Sequence, residues 1–300
     1  MNEQHDPYVA LRIPLFRNFL ITSGVVGMGT AAQGLAIGWE VYDRTEQALS
    51  LGWVGLVQAI PMLLFTLPAG YLADVFDRRK LMMWSLLGAT ISSLALGIAS
   101  YYRAPVEWLY FLLFIDATFL RFGWPARSAI MPLLVPNDLF ENAVKWRTSL
   151  MQVTGIGGPV IGGVLIAINI QAAYFLSALS SAVFILFLAG MRLPPAPRIQ
   201  RGNMIGQVVE GLRFVWNRQI LLGAISLDLF AVLLGGAVYL LPIFARDIID
   251  ASAVGLEPEE LLGWLRAAPA VGALMMAISM AYLPPIQHAG RILFLSLIHI

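Results

Sequence analysis

Gly70-Tyr71-Leu72-Ala73-Asp74-Val75-Phe76-Asp77-Arg78-Arg79-Lys80 ends one long apolar run, at about 51–72, and opens another, at about 81–101. Gly70 lets a helix end approach a neighbour closely, and Asp74 offers an acceptor to an adjacent helix amino terminus or to an arginine. The three consecutive cations then hold a tight turn at one face of a membrane. Outward from this turn the chain keeps the same character. Of its 300 residues, 59% are hydrophobic and 12% charged, and the mean hydropathy is +0.76. Globular domains carry about 25% charged residues, and a soluble enzyme of this composition would expose large apolar patches. That class is excluded. The net charge of +1 gives no basic excess for nucleic acid. No glycine-rich phosphate loop, HExxH or GxSxG motif occurs. With no cysteine, a disulfide framework, a thiolate zinc site and a cysteine nucleophile are excluded as well. A polytopic membrane protein remains.

A membrane span takes about 20 mostly apolar residues. Reading between charge clusters predicts eight complete spans, at roughly 18–41, 51–72, 81–101, 107–126, 146–168, 172–191, 219–244 and 262–284. A ninth begins at Ile292 and reaches only Ile300, about 14 Å of helix, so the chain is expected to be the front part of a longer protein. Met1 to Pro14 is short and polar, without the pattern of a cleavable signal. With the amino terminus in the cytoplasm, 14 of the 19 Lys and Arg residues fall on the inner side. Arg44, Arg103, Arg246 and Arg266 alone fall in outer loops, and Arg121 within a span. The positive-inside rule therefore predicts an inner amino terminus.

A cytoplasmic stretch, 192–218, divides the chain after six spans. It opens with Leu193-Pro194-Pro195-Ala196-Pro197-Arg198, which cannot be helical throughout. Ile205, Val208, Val209, Leu212 and Trp216 then recur at helical spacing opposite Gln207, Glu210 and Asn217, as in an interfacial helix or the start of the next span. Across this linker Leu51-Gly52-Trp53 returns as Leu262-Gly263-Trp264 at an offset of 211, and Tyr71-Leu72 as Tyr282-Leu283 in the same register. Span 2 thus matches span 8, and six spans form one unit. The expected domains are 1–191, a six-helix bundle; 192–218, the linker; and 219–300, a partial second bundle. A complete second half would end near residue 402.

The Gly70–Lys80 stretch resembles the signature cytoplasmic loop of the major facilitator superfamily, Gly-x-x-x-Asp-(Arg/Lys)-x-Gly-(Arg/Lys)-(Arg/Lys). Gly70, Asp74, Arg78 and Arg79 match, while Val75 stands for a cation and Asp77 for a glycine. In the fifth span, Gly155-Ile156-Gly157-Gly158-Pro159-Val160-Ile161-Gly162-Gly163 puts Gly155, Gly158 and Gly162 on one helical face with Pro159 bending the helix. Its Gly-Pro-x-x-Gly-Gly core resembles the antiporter motif of the superfamily's proton-linked exporters; a generic small-residue packing seam is the alternative. Gly123-Trp124-Pro125-Ala126-Arg127-Ser128-Ala129 and Asp228-Leu229-Phe230-Ala231-Val232-Leu233-Leu234-Gly235-Gly236 are similar to the drug:proton antiporter family of enterobactin exporters and macrolide efflux proteins. The resemblance implies a monomeric proton-coupled exporter of amphiphilic small molecules, drug-like or siderophore-like, in a bacterial inner membrane, working without cofactor, metal or enzymatic chemistry. An importer of the same fold and a non-transporting receptor or assembly protein are the alternatives.

Ionisable residues inside spans are costly and so mark function. Asp116 lies about ten residues into the fourth span and Asp228 about nine into the seventh, both near mid-membrane. Each is either a proton-coupling carboxylate or the fixed partner of Arg121. Arg121 lies five residues beyond Asp116, about 140° round the helix, which does not favour a pair along one helix. Glu40, beside Trp39 and Tyr42, reads as an interfacial residue at the outer rim. Gln33 and Gln58 read either as cavity-lining groups or as interhelical contacts.

Overall fold

The computed structural model describes residues 8–191, 206, 213–219, 221–223, 225, 226 and 236–282. Six long helices come first: α1 (Pro14–Thr45), α2 (Ala48–Val75), α3 (Arg78–Tyr101), α4 (Val106–Ile130), α5 (Phe140–Ile168) and α6 (Ile170–Gly190). A broken segment follows, with a 3-10 turn at Gly236–Leu240, one helical turn at Leu241–Ile243 and a π-helical turn at Phe244–Ile248. A last long helix, α7 (Pro258–Tyr282), coincides with the eighth apolar run. No strand occurs among the described residues. The fold is the all-α membrane architecture that hydropathy predicts. The middle of the 219–244 run (227–235, with Asp228), most of the 192–218 linker and the ninth run at 292–300 lie outside the described residues.

Helix boundaries follow local chemistry more than hydropathy. Proline stands at the first position of α1, where its missing N–H costs nothing. The helix runs on past the apolar run to Thr45 and stops where Glu46 takes a left-handed φ of 53° and donates its N–H to Tyr42 O at 2.8 Å. Asp77 caps α3, its carboxylate accepting from Arg79 N at 2.9 Å and Lys80 N at 3.1 Å. One of the two residues that depart from the resembled loop pattern, Asp77, therefore starts the next helix.

Packing does not follow chain order. α2 packs on α4, α4 on α3, α3 on α6, α6 on α1, α1 on α5, and α5 on α7, whereas the neighbours α2 and α3 touch little. Among α1 to α6, exchanging α1–α3 for α4–α6 maps this order onto itself, since α3 on α4 becomes α6 on α1 and α2 on α4 becomes α5 on α1. The first half is thus built from two three-helix units, a repeat that the sequence pattern does not display.

Lipid supplies no hydrophobic drive between helices, so close van der Waals packing must hold them. Small residues provide it. A Cβ on Gly158 would lie 2.6 Å from Ala31 Cβ, and one on Gly162 2.9 Å from Ala32 Cα, so α5 meets α1 almost backbone to backbone. A Cβ on Gly163 would lie 2.6 Å from Glu259 O, one on Gly155 3.2 Å from Ala270 Cβ, and one on Gly263 2.7 Å from Pro159 O. These form a second seam, between α5 and α7. The expectation that Gly155 shares a packing face with Gly158 and Gly162 is corrected here: Gly155, Pro159 and Gly163, at steps of four, look to α7 while Gly158 and Gly162 look to α1.

Two apolar cores lie at opposite ends of the bundle. Near the 76–77 turn, Phe16, Phe19, Met82, Ile130 and Phe184 are buried together. Near the 46–47 turn, Ile37, Leu96, Leu109, Tyr174 and Leu262 form the other core. A buried polar layer separates them.

Candidate functional site

That polar layer centres on Asp116, which is 3% exposed at mid-length of α4. Its carboxylate accepts from Gln33 Nε2 of α1 at 2.9 Å and from Ser92 Oγ of α3 at 2.7 Å. Gln33 Oε1 is buried without a hydrogen-bond partner among the described residues. Ser93 Oγ and Ser177 Oγ, 3.4 Å apart, extend the layer toward α6. Helical spacing explains the convergence: α3 turns Ser92 and Ser93 inward one turn beyond Gly88, where a Cβ would overlap the Phe119 ring of α4. Two helices thus aim neutral polar groups at one acid, and a third extends the layer through Ser177.

The pairing of Asp116 with Arg121 is not found. Among the described residues Asp116 meets no cation, and the 140° offset along α4 carries the half-buried Arg121 away from it. Gln33, left open between two roles by its sequence, is an interhelical contact to the acid. Asp228 lies outside the described residues.

Glu40, near the end of α1, is buried within the bundle at 3% exposure. Arg44, one turn on, donates through Nη2 to Glu40 Oε1, and the Tyr174 hydroxyl of α6 donates to Oε2 at 2.5 Å. Arg44 also donates to Ala104 O at 2.8 Å and Ser100 O at 3.1 Å. One buried acid thereby ties together α1, α6 and the α3–α4 turn. Arg44 at the i+4 position is a local signal for the ion pair, but nothing near Glu40 announces Tyr174, 134 residues away.

The loop motif has a mechanical role at the opposite end. Arg79 donates to Leu188 O at 2.6 Å and Ala189 O at 2.5 Å, the last carbonyls of α6, and Arg78 to Ala129 O at 3.0 Å, at the end of α4. Cations at helix carboxyl termini satisfy orphan carbonyls and meet the negative pole of the dipole. Two arginines on the first turn of α3 thus fasten the ends of both its neighbours. Gly70 and Asp74 do not behave as expected among the described residues: a Cβ on Gly70 would meet nothing within 4 Å, and Asp74 is exposed with no partner.

Where α1 ends, the first six helices also meet the 236–266 region. The Tyr42 hydroxyl donates to Asp247 Oδ2, and Arg246 pairs with Asp43 at 3.1 Å and Glu46 at 3.5 Å. A second contact joins Gly55 to Tyr239, whose ring a Cβ on Gly55 would meet at 3.4 Å.

Residues 5–300 match the family of transmembrane secretion effectors, within the major facilitator superfamily. The chain belongs to that family. It is 26% identical over 256 residues to Macrolide efflux protein A of Streptococcus pyogenes, covering 81% of this chain and 60% of that protein. It is 29% identical over 280 residues to the multidrug efflux pump Tap of Mycobacterium tuberculosis, covering 85% of this chain and 63% of that one. The chain therefore spans less than two thirds of the length of these relatives. A solved bacterial homologue of the human lysosomal transporter Spinster, inward-facing and unoccupied, superposes with a TM-score of 0.65 at 16% identity, over 91% of this chain and 65% of that one. That likeness concerns the fold. Within the family's architecture, Asp116 and Glu40 are the two buried acids of the described residues, and they sit in different chemical surroundings.

Proposed function

We propose that this chain carries the first half, and the start of the second, of a proton-coupled exporter of amphiphilic small molecules in a bacterial inner membrane, with its amino terminus in the cytoplasm. The observation that carries the reading is Asp116, a buried acid in a polar layer between two apolar cores, hydrogen-bonded by neutral donors alone among the described residues. A carboxylate fixed by an arginine keeps its charge, whereas one held by an amide and a hydroxyl can gain or lose a proton without stranding a cation. The Gln33 side chain can present its N–H₂ to the ionised acid and, after an amide flip, its oxygen to the protonated one. Proton state would then bias the Gln33 link that ties α1 to α4. The efflux names of the relatives support the outward direction, and the division into 1–191, linker and second half supports alternating access about α5 and α7.

The test is transport by the full-length protein in inverted vesicles under an imposed pH gradient. Asp116→Asn should abolish gradient-driven accumulation of an amphiphilic dye while leaving downhill exchange in place. Retention of full gradient-driven transport would refute the assignment to Asp116. Orientation is open to labelling, because the chain has no cysteine. Arg103 and Ser252 are exposed at one end and Lys80 at the other. Cysteines at the first two should react with an impermeant reagent on intact cells, and one at Lys80 should not.

A further inference from the structure

A cavity of about 220 Å³ opens between α1, α4 and α5 near the 76–77 end of the bundle. Its walls are largely apolar, with Phe16, Leu20, Trp124 and Met151 among them, and two arginines, Arg127 and Arg147, line it as well. No carboxylate belongs to its lining among the described residues. Arg127 stacks its guanidinium 5.5 Å from the centre of the Phe184 ring, and its Nε is buried without a hydrogen-bond partner there. Arg147 donates to Ser128 Oγ at 3.1 Å and approaches Met131 Sδ at 3.9 Å, both weak neutral partners for a cation. Two positive charges beside one apolar hollow repel each other and meet no counter-ion among the described residues. Guanidinium groups present forked donors that match a carboxylate, sulfonate or phosphate.

We propose that this cavity binds an anionic amphiphile, a single acidic group on a compact apolar body, with the acid held between Arg127 and Arg147 and the body against Trp124 and Phe16. An inorganic anion would use the arginines but leave the apolar wall empty, and a cationic amphiphile would meet two like charges. The inference rests on the export reading only in taking the occupant as cargo, and binding is measurable without transport, so the two can fail separately.

The probe is 2-naphthoate, titrated calorimetrically into the protein in neutral maltoside micelles, with 2-naphthylmethanol and a naphthylmethyl-trimethylammonium salt as uncharged and cationic analogues. Naphthoate should bind at least about tenfold more tightly than the alcohol, and the cation most weakly. Arg127→Gln and Arg147→Gln should each weaken naphthoate by about tenfold and leave the alcohol within about twofold. Should Arg127→Gln fold poorly, Arg127→Lys retains the charge, and Arg147→Gln carries the same comparison at a less buried site. Equal affinity for acid and alcohol, tighter binding of the cation, or an equal loss of both ligands in Arg147→Gln would overturn the proposal. Displacement of naphthoate by phosphatidylglycerol vesicles, but not by phosphatidylcholine vesicles, would identify the occupant as an anionic lipid; no displacement by either identifies a soluble amphiphile.

Discussion

Two acids are buried in the same bundle, and their surroundings differ in kind. Glu40 faces a cation on its own helix and a tyrosine hydroxyl, and its partner Arg44 is further engaged by two backbone carbonyls. Asp116 faces an amide and a hydroxyl from two other helices. The first arrangement is closed: every charge has its opposite, and removing either one leaves the other stranded in a low dielectric. The second is balanced without a countercharge, so adding a proton does not orphan a cation. Burial alone does not distinguish a working acid from a structural one; the charge of the neighbours does.

The contrast breaks most directly at Glu40. Glu40→Gln should cost on the order of 3 kcal/mol of stability by leaving Arg44 without its carboxylate, seen as a lowered melting temperature in detergent. The double variant with Arg44→Gln should recover part of that loss. An unchanged melting temperature would show that the closed arrangement holds nothing. Asp116→Asn is the converse case. Its stability should change by no more than about 1 kcal/mol, because the amide oxygen still accepts from one of the two partners while its N–H₂ donates to the other, to Ser92 Oγ or, after a flip, to Gln33 Oε1. Gradient-driven efflux should fall by at least about tenfold. A large loss of stability there would class Asp116 with Glu40.

Arg79 sharpens the comparison by offering a cation whose partners are carbonyls. Arg79→Gln should cost about 1 to 2 kcal/mol, because a neutral side chain can still donate to α6 but no longer meets the dipole's negative pole. The smallest effect belongs to Arg246, whose partners Asp43 and Glu46 are exposed. Arg246→Gln should cost under about 1 kcal/mol, and that difference should shrink further at high salt. A larger, salt-insensitive loss would move this pair into the closed class.

Much of the fold is legible in the sequence because a membrane imposes one demand on every span. Runs of about 20 apolar residues therefore mark α1 to α6 and α7 within a few residues. The discrepancies have a common cause. Hydropathy marks where lipid ends, whereas the helix ends where a cap ends it. α5 begins at Phe140 and carries Glu141 and Lys145 on helical turns before its apolar run starts. α4 is the converse: Asp116 and Arg121 lower its hydropathy, yet it packs on both α2 and α3.

The site was less legible. Asp116 stands out as an acid in an apolar run, but nothing beside it in sequence announces Gln33 or Ser92, which lie 83 and 24 residues away. Arg78 and Arg79 read as topological charges, and their role as fasteners of α4 and α6 depends on carbonyls 51 and about 110 residues distant. The glycine face of α5 was misjudged at Gly155 because spacing alone shows which residues align, not which neighbour each row meets.

The seam between α5 and α7 has a consequence for motion. Gly163 and Gly263 bring two backbones together with almost no side-chain relief between them, at Pro159 O and Glu259 O. Interlocked side chains would have to change rotamers in concert for one helix to turn against the other. A smooth contact of this kind acts as a plain bearing, on which α7 can slide or roll with little friction while the two surfaces stay touching. Bulk added at Gly263 would work like grit in that bearing, slowing the movement before it loosened the joint.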